Sequence, residues 1–171
     1  MNTLSVFFPG VWIHEGAHAL ACLVGRVKVH RIHVRSSSGV VVHDPTNARN
    51  AWIIALAPLG VGTIIAFVAW QAAIHAWETQ PLLAAFLGWV GISAGFHAIP
   101  STTDAFNIPR AILSRAKETL AGEHSLLVKV TKTIGYGITL PFSLVTAAAI
   151  FLANTSILFR LAWVGGILLL A

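Results

Sequence analysis

The chain has 171 residues, of which 56% are hydrophobic and only 10% charged, and its formal net charge is +5 at neutral pH. A soluble domain carries about a quarter of its residues as Asp, Glu, Lys or Arg, so lipid is the expected solvent. The basic residues are spread between apolar runs and form no patch interleaved with exposed aromatics, which argues against a nucleic-acid partner. The single cysteine, Cys22, allows no internal disulfide and reads as a small buried thiol.

The first apolar run, Leu4 to Val24, is long enough for a membrane span of about 20 residues. It has no basic leader and holds Glu15 with two histidines, so it does not read as a cleaved signal peptide. From Val27 to His43, β-branched residues flank Ser36-Ser37-Ser38-Gly39, and this predicts a β-hairpin. Runs from Ala51 to Trp77 and from Leu82 to Ile99 predict a second and a third span, and Gly88, Gly91 and Gly95 would let the third pack closely on the first. Ser101 to Lys132 is mixed in polarity with Pro109 and Gly122 as breakers, which predicts a loop and an amphipathic helix on the membrane surface. Leu127 to Ala171 holds two further apolar runs separated near Asn154 to Arg160. The expected fold is an all-α polytopic membrane protein with about five transmembrane helices, three as a minimum, and a small β-hairpin between the first two.

Arg26, Lys28, Arg31, Arg35 and Arg49 fall in one interval between apolar runs, and Arg110, Arg115, Lys117, Lys129 and Lys132 in another. Basic intervals face the cytoplasm, which places the N-terminus and the interval around Glu78 outside. Arg160 is the exception, expected on the outer side.

The chemistry concentrates in His14-Glu15-Gly16-Ala17-His18. On a helix, His14 and His18 lie about 40° apart in azimuth and about 6 Å apart along the axis. Both imidazoles can grip one Zn²⁺ while Glu15, beside the open position, accepts a proton from a water there. Within hydrocarbon, a carboxylate and two histidines persist only when paired or metal-bound, the bland alternative being hydrogen bonds between helices. A catalytic zinc takes a third protein ligand. Asp104, following Pro100 at the end of the third run, approaches from the same side as the histidines; His97 and Glu123 are the other candidates.

From about residue 8 to about residue 110 the chain resembles the site-2 protease family of intramembrane metalloproteases. The resemblance lies in the His14 to His18 helix, the hairpin after it, Ala57-Pro58-Leu59-Gly60, similar to that family's A-G-P-L stretch, and a third helix ending in a Pro-containing segment with an aspartate. The chain departs from the pattern at His97, where the family usually has Asn, at Thr103 and Ala105 around Asp104, and in a spacing from Pro100 one residue shorter. The resemblance implies zinc held by His14, His18 and Asp104, Glu15 as general base, and cleavage of membrane-anchored protein substrates. At His97 it implies proximity to substrate, where an imidazole either stabilises an oxyanion or simply satisfies a carbonyl at the helix end.

Residues 1–110 are therefore expected to form the protease core, three helices plus the hairpin at 27–43, and residues 111–171 a surface helix and accessory transmembrane helices. The expected enzyme is a multi-pass zinc endopeptidase in the lipid bilayer, opening toward the cytoplasm. Lacking a soluble gating domain, it leaves room for a regulatory or substrate-presenting protein. A metal or proton transporter using His14, Glu15 and His18 is one rival, against which the second, fourth and fifth spans show no acidic or histidine relay. An inactive binder of membrane segments is another, against which Glu15 stands. The hairpin edges, Val27 to Val34 or Val40 to His43, suit either strand addition by an unwound substrate or an interfacial anchor in which Arg31 and Arg35 meet anionic headgroups. His30, His33 and His43 read as exposed histidines in preference to a second metal site.

Overall fold

The computed structural model describes residues 3–122 and 125–171. The ligand candidate Glu123, like His124, lies outside the described residues. A short 3₁₀ turn, Thr3–Phe7, leads into α1 (Phe8–Val24), whose first turn accepts Pro9 because the missing N–H has no helical partner there. Gly25 ends the helix and Arg26, at φ 53°, turns the chain into the hairpin of β1 (Val29–Val34) and β2 (Gly39–His43). The strands pair antiparallel from Val34 opposite Gly39 to Val29 opposite His43, with a bulge between Val29 and Arg31. Helices α2 (Ala48–Ala76), α3 (Pro81–His97), α4 (Thr102–Ala121), α5 (Leu126–Thr155) and α6 (Ile157–Leu170) follow. Side chains of Asn47, Ser101 and Ser156 cap α2, α4 and α6 by accepting from backbone N–H groups three residues on.

Contacts set the directions of the helices. α1 runs antiparallel to α2, with Asn50 Nδ2 donating to the Gly25 carbonyl at 3.0 Å. α2 runs antiparallel to α3, with Gly62 against Ala98 and Gly91 against Ala66 and Ala69. α6 also runs antiparallel to α3: Arg160 meets Phe96 at the end of α3, Val164 and Ile167 cover Gly95, and Ala171 reaches Gln71 on α2. The glycines of the third apolar run thus face α2 and α6. The close approach of α1 and α3 depends instead on Gly10, where an added Cβ would fall 2.5 Å from His97 Nδ1. Gly88, Gly91 and Gly95 repeat along one face of α3, and Ser93 and His97 lie on another.

Beyond α3 the chain continues into α4 after a bend of 42°. α4 is amphipathic, as its sequence implies, but its apolar stripe is covered by protein: Ile108 and Ile112 are fully buried with Ala55 against Trp52, Tyr136 and Leu140. Pro109, expected to break the chain, lies inside α4, whereas Gly122 does end it. α5 then returns along α4, so that Thr119 meets Tyr136 at 3.3 Å and Asn154 Nδ2 donates to Thr102 Oγ1 at 3.1 Å. The break between α5 and α6 therefore lies beside the end of α3. This corrects the expected placement of Arg160 on the opposite side: a rule that counts charges in loops has no term for a guanidinium bound inside the helix bundle.

Among the described residues, α2 and α5 are long and apolar enough to cross a membrane, and α3 with α4 makes a third if the bent pair counts as one span. α6, at 14 residues, is a shorter apolar helix. Large apolar side chains such as Ile64, Val68, Ile138 and Val145 point outward, which is consistent with a membrane protein. Cys22 is fully buried against Ile54 and Ala21, as its apolar surroundings suggest.

Candidate metal centre

His14 and His18 sit one turn apart on α1, and each ring is oriented by a carbonyl from another helix. His14 Nδ1–H donates to the His97 carbonyl and His18 Nδ1–H to the Ile54 carbonyl, both at 2.7 Å. A carbonyl can only accept, so each neutral ring carries its proton on Nδ1 and presents the Nε2 lone pair. These acceptors are open for a reason that the sequence contains. The Ile54 carbonyl would ordinarily receive the N–H of residue 58, but Pro58 has none. The N–H that would reach the His97 carbonyl is that of Ser101, which donates at 2.8 Å to Asp104 Oδ2.

Asp104 is placed by the same turn. Ser101 caps α4 and Asp104, at the third helical position, reaches back to the Ser101 N–H and hydroxyl, completing a capping box. Its carboxylate is thereby aimed at α1 before any ligand arrives. Oδ1 lies 3.3 Å from His18 Nε2, Oδ2 lies 3.5 Å from His14 Nε2, and the two Nε2 atoms are 3.1 Å apart. Three electron-pair donors face one point with no proton between them unless a ring becomes imidazolium, an arrangement that calls for a cation. A tetrahedral metal with ligand bonds of 2.0–2.1 Å spaces its ligands about 3.3 Å apart. His14, His18 and Asp104 are accordingly a group that could hold a metal ion, and His97 is not among its ligand atoms.

Glu15 is buried and lies beside this group, packed against the start of β2. A Cβ built on Gly39 would fall 2.6 Å from both Glu15 Cδ and Oε1, so only glycine lets the hairpin come this close. The metal group and Glu15 open on a cavity of about 890 Å³, one wall of which is β2 with the turn before it. His97 also lines that cavity, with its Nδ1 donating at 3.1 Å to the Ser93 carbonyl. In the neutral ring this leaves Nε2 as an acceptor, and only the imidazolium could donate to an oxyanion from it. The contact that the structure gives His97 at the centre is its backbone oxygen on His14.

The hairpin histidines do not converge. His30 pairs with Asp44 at 2.6 Å, His33 Nε2 accepts from Arg35 at 3.1 Å, and His43 donates to the Asp44 carbonyl. Four contributors escape a reading of motifs: the carbonyls of Ile54 and His97, Gly39, and the pair Asn154 and Arg160, which line the cavity from the distant α5–α6 break. A proline four residues after a carbonyl frees it, so Pro58 is the signal for the Ile54 carbonyl and Pro100 for the Phe96 carbonyl that Arg160 meets, whereas the His97 carbonyl has no such mark. Compared with protein-family models, curated proteins and solved structures, the chain matches none.

Proposed function

We propose that this protein is a zinc-dependent intramembrane endopeptidase, similar to site-2 proteases, that hydrolyses peptide bonds in membrane-anchored proteins. The observation that carries this reading is the convergence of two carbonyl-oriented histidines and a capping-box carboxylate at tetrahedral spacing, with Glu15 alongside. Two imidazoles, one carboxylate and no thiolate suit zinc with a position left for water. Bound zinc supplies a Lewis acid that polarises the scissile carbonyl and acidifies a water beside it. Glu15 takes the proton of the attacking water and returns it to the leaving amine. The Ile54 and His97 carbonyls hold the ligand rings in place through the cycle.

The wall formed by β2 supports strand addition. β1 occupies one edge of β2, and among the described residues the other is free to pair with an extended segment in the cavity that Glu15 lines. The hairpin that walls the cavity also carries Lys28, Arg31 and Arg35, which favours an opening toward the cytoplasm. In this reading five segments enter the bilayer, α1, α2, α3, α5 and α6, although α1 and α6 extend only about 25 and 21 Å against a hydrocarbon core of about 30 Å.

The test is cleavage of a membrane-anchored reporter by purified protein in detergent, with zinc measured in the same sample. Wild type is expected to hold one zinc and to cut, a chelator to stop the cut, and Glu15→Gln to keep zinc without cutting. A folded, zinc-loaded Glu15→Gln protein that still cleaves overturns the mechanism.

A further inference from the structure

Arg160 stands in the first turn of α6 with its side chain in the cavity wall shared by His14 and Glu15. Nη1 donates to the Phe96 carbonyl at 2.7 Å, Nη2 donates to the Asn154 side-chain oxygen, and the guanidinium lies 5.4 Å from the centre of the Phe96 ring. The Phe96 carbonyl is open because the residue four positions on is Pro100. Asn154 is itself held by Thr102. The fork is thus fixed in orientation, with two of its five N–H groups used.

All of these partners are neutral. Among the described residues no carboxylate pairs with Arg160: three of the acidic side chains lining the cavity pair with other groups, and the fourth, Glu15, forms no ion pair with it. Asp44 pairs with His30, Glu118 with Arg115 at 2.9 Å, Asp104 faces the two histidines, and Glu15 lies against Gly39. Arg160 is also the only Lys or Arg from residue 133 to the end of the sequence. A charge kept among apolar helices without a counter-ion marks a binding function, because solvation alone does not favour it there. Resting on the zinc reading, the divalent ion balances Glu15 and Asp104, and the charge left facing the cavity is that of Arg160.

We propose that Arg160 is the receptor for a substrate carboxylate bound next to the metal centre, and so makes an acidic group a determinant of what is cleaved. The planar fork matches a carboxylate in a bidentate way that a point charge does not. Its anchor, the Phe96 carbonyl, adjoins the His97 carbonyl that orients His14, so the bound group lies on the metal side of the cavity. The carboxylate belongs either to an Asp or Glu side chain of the substrate segment or to a free C-terminus.

The experiment uses zinc-loaded Glu15→Gln protein in detergent, which binds without turnover, and fluorescent apolar peptides in matched pairs. One pair differs as C-terminal acid against amide, the other as Glu against Gln at one internal position. In at least one pair the acid is expected to bind about tenfold more tightly or better, as for a hydrogen-bonded ion, and the responsive pair names the source of the carboxylate. Arg160→Gln removes the difference while the neutral peptides bind as before. Asn154→Asp, which gives the guanidinium an internal counter-ion and keeps α6 tethered, removes it too. The proposal is overturned if acid and neutral peptides bind alike, if the preference survives either variant as it would for direct coordination to zinc, or if phosphatidylglycerol displaces neutral and acidic peptides equally through Arg160. Failure of the protease reading registers separately, as absent cleavage by wild type with the acid preference intact.

Discussion

His18 and Pro58 are linked through one carbonyl: the imidazole of His18 occupies, at 2.7 Å on the Ile54 oxygen, the place that the N–H of residue 58 would take in an uninterrupted helix. A proline within α2 therefore orients an imidazole on α1. Pro58→Ala restores the competing donor. The variant is expected to gain about 1–3 kcal/mol of stability when metal-free, since an interior proline is costly to a helix. Its zinc affinity is expected to fall about 10- to 100-fold, as for loss of an outer-shell partner. Chemical denaturation without metal and a competitive zinc titration measure the two effects, and a rise in stability with unchanged affinity would falsify the link.

The ligand set predicts a graded response to metal. His14→Ala, His18→Ala and Asp104→Ala should each lose stoichiometric zinc on purification, whereas His97→Ala should retain it, since His97 contributes its backbone oxygen. Asp104→Ala should in addition destabilise α4 by about 0.5–2 kcal/mol through the lost capping box. Elemental analysis paired with thermal unfolding separates these effects, and zinc retained in Asp104→Ala removes that residue from the site.

Zinc should also stabilise the fold. An ion present at about 100 times its dissociation constant contributes about 2.7 kcal/mol when only the native state binds it. Thermal unfolding of wild type should move upward with added zinc and downward with a chelator, and that of His18→Ala should respond to neither.

Two glycine substitutions distinguish crowding at the base from a general effect. Gly39→Ala places a methyl on the Glu15 carboxylate and should lower kcat at least about tenfold with zinc retained, because a displaced base loses its reach to the proton. Gly16→Ala, next to Glu15 but with open space around its Cβ, should leave activity intact and add up to about 1 kcal/mol of stability. Equal activity in both variants would show that the hairpin does not set the position of Glu15.

The most local parts of the centre were the most legible in the sequence. The spacing of His14 and His18 is a property of one helix, and Asp104 was accessible as the acid after a proline-marked helix end. The hairpin was legible from Ser36-Ser37-Ser38-Gly39 between β-branched residues. Pairing between distant segments was not. Nothing near Gly88, Gly91 or Gly95 shows that they face α2 and α6, and Pro109 continues a helix because α2 and α5 bury that face. The position of Arg160 is not legible either, because its anchor, the Phe96 carbonyl, is 64 positions away in the chain.

The contact of Glu15 with Gly39 also bears on how the two strands find their alignment. A slip of β2 by one residue would bring Ser38 or Val40 over the carboxylate and turn every strand side chain to the opposite face. Such a misaligned hairpin cannot seat on α1 while Glu15 holds its position. Glu15 thus acts as a gauge of strand alignment: a correctly paired hairpin is the one that can seat on α1, and seating it sets the cavity wall beside that carboxylate.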